Sequence, residues 1–341
     1  MKPNEFTALA LAATAAFFLA VATYVAATPW ASRLSFEPAR LLPQLSSRAS
    51  DVAAIEVRQG KTTAKLEKQD GTWRITSEGG YPADPEKVRA LLVAATEADV
   101  VEKKTARMER HADLGLADPE LAETSARLIR FLDKSGAPVA EIIAGRTTLD
   151  AFEASKGGTY VRRPGDNQSY LANREIAASL SLRDWAETKL VDLKPEVIKS
   201  IRIEPVGQAP YEIKRAADGK SHELVAMPAG KKLKYVSGVD DIAEAVSLIE
   251  FKGVAKAGAA DNLPSKGKAT FTTDNGFNVV VEFRSDDKDA YVRITPSGEG
   301  DSKAAADALT QRTQGFDFEV PLAELRACIV NLADLIEDAP A

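Results

Sequence analysis

From Val52 to Ala98 apolar and polar residues first alternate with a period of two and then recur at helical spacing, and the same switch returns about 145 residues downstream. Ile55 and Val57 share one face of a first predicted strand, Ala64 and Leu66 one face of a second, and Trp73 and Ile75 one face of a third. Asp70-Gly71, which tolerates positive φ, predicts a tight hairpin between the last two. Downstream, Ile201 with Ile203, Tyr211 with Ile213, the turn Asp218-Gly219 and then Leu224 repeat that order. Both stretches then turn helical. Asp84 is placed to cap a helix that accepts Pro85 in its first turn and carries Val88, Leu91, Leu92 and Ala95 on one stripe. Ser237, Ile242, Val246 and Ile249 form the counterpart.

The remainder continues the parallel. Leu114 and Leu116 are positioned to pin a loop, and hairpins are predicted around Lys134-Ser135-Gly136 and across Pro164 to Asn167. Ile176, Leu180 and Trp185 predict a short packed helix closed by an aromatic plug. In the second half, Asn275-Gly276 predicts a hairpin with Val279, Val281 and Phe283 alternating, and Tyr291-Val292-Arg293 answers Tyr160-Val161-Arg162. The chain closes on a predicted amphipathic helix with Leu322, Leu325, Ile329, Leu332 and Ile336 on one side. Strand, turn, helix and hairpin recurring in one order is the mark of tandem duplication. The expected fold class is therefore α+β: an N-terminal transmembrane helix followed by two tandem repeats of antiparallel sheet packed with helices. The expected divisions are an anchor over 1–28, an irregular or partly helical stalk over 29–48, and repeats over 49–191 and 192–341.

Phe6 to Ala27 contains no charged residue, a run of about 22 positions that is long enough as a helix to cross a hydrocarbon core of roughly 30 Å. Tyr24 and Trp30 lie near its far end, where amphipathic rings favour the headgroup region. Lys2 favours a cytoplasmic amino terminus and hence an extracytoplasmic body, although Arg33 and Arg40 flank the other side. Cleavage as a signal peptide near Ala20-Val21-Ala22 or Ala26 is the competing reading, and a buried soluble helix is the third.

A formal charge of -6, a pI near 5.3 and 6% aromatic residues argue against a nucleic-acid partner, which needs a concentrated basic face. Cys328 is the only cysteine, which leaves no internal disulfide or cysteine metal cluster and no cysteine to carry lipid after the apolar segment. Beside Ile329 on an apolar stripe, it reads as a small buried thiol.

Candidate chemistry is sparse. No G-x-S-x-G elbow and no Walker glycine loop with its lysine occurs, so neither a hydrolase triad nor ATP hydrolysis is expected. His111 and His222 stand in polar surroundings without ligand-spaced partners and are expected to be solvated rather than to bind zinc. Asp286 to Asp289 lacks the spacing of a calcium loop and reads as a solvated turn. Lys231, Lys232 and Lys234 fall short of the roughly four to eight basic residues of an anionic-lipid site. Tyr160, Arg162 and Arg163 are the most suggestive group, because one aromatic ring and two guanidinium groups can hold a carboxylate or sugar acid. The plainer alternative is a half-buried strand tyrosine with arginines extended to solvent. No cofactor, metal or catalytic residue is expected.

The W-R-I strand after an Asp-Gly turn, the Y-P-A-D start of the helix, L-G-L-A-D-P, I-I-A-G-R-T, T-Y-V-R-R and S-L-R-D-W, together with the apolar segment, resemble the DUF4340 family of bacterial membrane-anchored envelope proteins. The likeness is clearest from Ile55 to Leu190. It implies a single-pass inner-membrane protein, in contact with lipid through residues 6–27, with its body outside the cytoplasm. It further implies a non-enzymatic accessory or scaffold for ABC-type transport or gliding-motility export subunits. The alternative is a ligand- or polymer-binding module that uses a cleft between the two repeats.

Overall fold

The computed structural model describes residues 13–24, 37–148 and 157–339. The fold is mixed α+β, with two large antiparallel sheets. Elements of the first sheet are β1 (Ala39–Arg40), α1 (Pro43–Arg48), β2 (Ala54–Gln59), β3 (Thr62–Gln69), β4 (Thr72–Ile75), β5 (Tyr81–Pro82), α2 (Pro85–Glu97), β6 (Asp99–Lys103), β7 (Arg127–Leu132), β8 (Pro138–Thr148), β9 (Gly158–Arg162) and β10 (Ser169–Ala172). Further along the chain come β11 (Ile198–Pro205), β12 (Tyr211–Arg215), β13 (His222–Leu224), β14 (Lys231–Leu233), α3 (Gly238–Ala245), β15 (Gly253–Lys256), β16 (Ser265–Thr273), β17 (Asn278–Ser285), β18 (Ala290–Ser297), α4 (Lys303–Thr313), β19 (Phe316–Glu319), α5 (Leu322–Cys328), α6 (Leu332–Leu335) and β20 (Ile336–Asp338). The chain divides into two compact units, Met1–Thr63 with Arg89–Leu180 and Ala64–Val88 with Ser181–Ala341.

Strand order is β1-β6-β10-β9-β8-β7-β2-β3-β4-β5 in one sheet and β13-β12-β11-β16-β17-β18-β19-β15 in the other, with β14 and β20 forming a separate ribbon. From β6 to β4 the first order matches the second from β15 to β13, strand for strand, once each label is raised by nine. The cores follow from the alternation. Val57 lies opposite Ile129 and Ile129 opposite Ile142, all fully buried. Ile213, Ile201, Phe271 and Val279 form the corresponding row across four strands of the second sheet. Each such side chain contributes roughly 1.5–3 kcal/mol by leaving water.

The local devices differ between the two sheets. Gln69 pairs with Thr72, so β3 and β4 are joined by Asp70 (φ 49°) and Gly71 (φ 83°) alone, a turn whose twist matches that of the strands. Asp218-Gly219 sits instead in a longer loop over 216–221, where the Asp218 carboxylate accepts from the backbone of Lys220 (2.8 Å) and Ser221 (3.0 Å). These amides and the Ser221 hydroxyl hold the Asp218 acid at about 2. At α2 the Asp84 carboxylate accepts from the Glu86 amide at 2.9 Å, and Val88, Leu91 and Ala95 are buried with Leu92 at the margin. Ser237 occupies the matching position at α3 but makes no side-chain cap; only its carbonyl is used, by the Asp241 amide. Ile242, Val246 and Ile249 are buried, with a 3-10 turn over Val246–Leu248 finishing the helix.

Several expectations need correction. Much of the predicted Phe6–Ala27 span lies outside the described residues; residues 13–24 are helical, and among the described residues no helix is long and apolar enough to cross a membrane. Of the expected stalk over 29–48, residues 29–36 lie outside the described residues; 37–48 are partly helical as expected, with α1 and its fully buried Leu45, and also hold β1 paired with β6. The helix expected over Ile176, Leu180 and Trp185 reduces to a 3-10 turn at Leu182–Asp184, although Ile176 and Trp185 are buried. The closing amphipathic helix is broken. α5 ends at Cys328, Ile329 leaves the helical region (φ -121°, ψ 78°), α6 resumes for one turn, and Ile336–Asp338 pairs with β14. Cross-strand hydrogen bonds there outweigh helical continuation, whose worth per residue is small.

Candidate functional site

Tyr160 and Arg162 are separated by two positions in β9 and so share one face, with Val161 fully buried on the other. Tyr160 packs against a cluster of Leu116, Ala126 and Ile143. Arg162 Nε donates to the Leu116 carbonyl at 3.0 Å and Nη2 to that of Ala117 at 3.5 Å. Burial lowers the pKa of this guanidinium from its ordinary value, opposed by the charges of Asp118 and Asp166. Arg163 follows the strand, donates from Nη2 to the Leu41 carbonyl at 3.3 Å and lies 5.8 Å from the Tyr170 ring centre. Lys104 Nζ lies 5.7 Å from the Tyr160 ring centre and pairs with Glu102 at 2.8 Å. The donors that suggested carboxylate recognition thus point, in good part, at main-chain oxygens.

The loop that Arg162 holds is built by close approach. A Cβ at Gly145 in β8 would lie 2.4 Å from the Leu114 carbonyl, and Gly115 adopts φ 69°. His111 Nε2 meets the Asn167 carbonyl at 2.8 Å, while its own carbonyl accepts from the Leu114 and Leu116 amides. L-G-L-A-D-P, I-I-A-G-R-T and T-Y-V-R-R therefore converge on one place.

Y-P-A-D and S-L-R-D-W meet in the same manner. The Asp84 amide donates to the Trp185 carbonyl at 2.7 Å, and Lys87 Nζ donates to the carbonyls of Ala186 (2.8 Å) and Arg183 (3.1 Å). Tyr81 enters an aromatic cluster with Phe251, Phe316 and Phe318 at centroid distances of 5.2, 5.2 and 5.8 Å, edge to face. Among the described residues its hydroxyl makes no hydrogen bond of good geometry; burial raises its pKa, and the adjacent Arg312 guanidinium pulls the other way. Arg312 Nη2 itself donates to the carbonyls of Lys189 and Leu190. Spacing along the chain does not reveal this cluster, although Phe251, Phe316 and Phe318 are three of the seven aromatic residues from 251 onward in a chain poor in aromatics.

The profile of a family described as "Domain of unknown function (DUF4340)" matches residues 73–269, more than half of the 341 residues. The chain belongs to the DUF4340 family. No curated protein and no solved structure matches significantly. The DUF4340 match opens at Trp73 in β4 and closes at Ala269 in β16, so it includes every converging motif described above and the first strands of the second sheet.

The other expected features are placed as follows. Both histidines are buried rather than solvated. His222 lies in β13 on the same face as Leu224, its Nδ1 is 3.0 Å from Asp240 Oδ1, its Nε2 is 3.3 Å from the Ile198 carbonyl, and its backbone amide donates to the same Asp240 oxygen at 2.7 Å. Among the described residues no group of three or more His, Cys, Asp or Glu side chains is disposed to hold a metal. Asp286 Oδ1 accepts from the Lys288 and Asp289 amides, both at 2.8 Å, which lowers the pKa of its acid. Lys231 and Lys232 pair with Asp338 and Glu337, and Lys234 Nζ donates to the Ala333 carbonyl. Cys328 is a fully buried free thiol, as the apolar stripe implied.

Proposed function

We propose that this protein is a membrane-anchored extracytoplasmic accessory or scaffold component, non-enzymatic, serving an ABC-type transport or export assembly. The observation that carries the non-enzymatic part is the use made of the family motifs. Arg162, Arg163 and Lys87 spend hydrogen-bond donors on main-chain carbonyls, and Gly145 and Tyr81 serve close packing. Groups committed in this way hold the fold rather than a substrate, which supports a non-enzymatic role.

Anchoring is supported by the uncharged run Phe6 to Ala27 and by the described part of it, a helix whose Phe17, Phe18, Leu19 and Tyr24 are exposed. Thr23 Oγ1 donates to the Ala20 and Leu19 carbonyls, at 2.9 and 3.0 Å, the arrangement by which a hydroxyl is tolerated in hydrocarbon. The matching strand orders support a body made by tandem duplication, with repeats over 49–191 and 192–341. Association with transport subunits comes from the family resemblance.

Crosslinking in native membranes, followed by purification of the full chain and mass spectrometry, tests this reading. Recovery of permease or nucleotide-binding subunits of one transporter is expected. Recovery of the chain alone, from membranes that demonstrably contain such subunits, would contradict it.

A further inference from the structure

The geometry points to a binding site for a small zwitterion, an α-amino acid or short peptide with an apolar side chain, in a hollow of about 480 Å³ within the second unit. This site stands apart from the anchoring reading. Its volume lies in the range of small-molecule pockets, roughly 300–1,000 Å³. Leu325 and Ile329, at the break between α5 and the extended segment that follows, supply apolar lining. Lys266 and Arg326 also line the hollow, and neither makes an ion pair or side-chain hydrogen bond with any described residue.

Carboxylates balance those cations. Asp286 is occupied by the amides of its own turn, whereas Asp287 has no such partner. Two positive and two negative side chains leave the lining neutral overall, so a simple anion meets opposing carboxylates and a simple cation meets opposing ammonium and guanidinium groups. A ligand bearing both charges satisfies both sets, and its side chain finds the apolar lining.

Ser285 adds a hydroxyl to the wall of the hollow. It lines the hollow although only 2% exposed, and its hydroxyl has no hydrogen-bond partner among the described residues. A ligand carboxylate or ammonium can take up that hydroxyl.

The test is calorimetric titration of the full chain in nanodiscs with L-leucyl-L-leucine, beside its N-acetylated and its C-amidated forms. The site predicts saturable binding of the free dipeptide, at least about tenfold weaker binding of each blocked form, and a similar loss in the K266Q/R326Q double variant. Ser285→Ala weakens binding by about threefold, and Asp287→Asn removes the preference for a free amino terminus. Unchanged thermal unfolding of K266Q/R326Q separates loss of binding from loss of fold. No saturable heat up to about 10 mM, equal binding of the blocked dipeptides, or full binding by the double variant overturns the proposal.

Discussion

The helices α2 and α3 follow the same succession of strands, yet their first turns are secured by different chemistry. At α2 the side chain before the helix does the work, with Asp84 taking the Glu86 amide and Pro85 pre-set for the first turn. At α3 the preceding Ser237 is idle as a side-chain cap, and Asp240 inside the first turn is claimed by a histidine from β13. Both starts are tied to distant segments, α2 to Arg183, Trp185 and Ala186 and α3 to His222, but only α2 also carries a local side-chain cap. A strand order is conserved between two regions when the apolar alternation is kept, and the hardware at each helix start is free to change.

The equivalence of the two cores is the broadest target. Leu66 lies opposite Ile75, Ile213 lies opposite Leu224, and Leu66 and Ile213 are both fully buried. Leu66→Ala and Ile213→Ala are each expected to cost about 2–5 kcal/mol in urea denaturation, and a cost below about 1 kcal/mol for either would break the correspondence. The difference in fastening gives smaller numbers. Asp240→Ala strands the His222 amide and a ring nitrogen and should cost about 1–3 kcal/mol, whereas Asp84→Ala should cost about 1 kcal/mol. Ser237→Ala should stay within about 0.5 kcal/mol, since that hydroxyl caps nothing.

The last effect lies in α5. Burial pushes the Cys328 thiol up to about 12 from an ordinary 9.0. The folded chain therefore keeps a proton that the unfolded chain releases, and stability falls as pH rises between those two values. Alkylation at pH 8 should follow unfolding, and rapid labelling of the native protein would show the thiol to be accessible.

Much of this was readable from spacing. Ile55, Val57, Ile201 and Ile203 occupy the faces that alternation assigns, and Asp70-Gly71 forms the two-residue turn its residue types favour. Tyr160 and Arg162 share a face for the same reason, but the carbonyls of Leu116 and Ala117 that receive Arg162 come from a loop about 45 residues away. No local rule reports that. The histidines were misread because polar neighbours suggested solvent, while His222 stands two residues before the buried Leu224 and takes its face. The stripe from Leu322 to Ile336 reads as one helix; the pairing of Ile336–Asp338 with β14 ends it after Leu335, and nothing in its spacing reports the earlier break after Cys328. Aromatic clustering around Tyr81 joins residues from 81 to 318, a separation that composition cannot reveal.

Anchoring is tested most directly by carbonate extraction of membranes from cells making the native chain, beside a chain lacking residues 6–27. The account predicts that the full chain stays in the pellet, with its amino terminus intact by mass spectrometry, and that the shortened chain is released. Release of the full, uncleaved chain into the carbonate supernatant would contradict it.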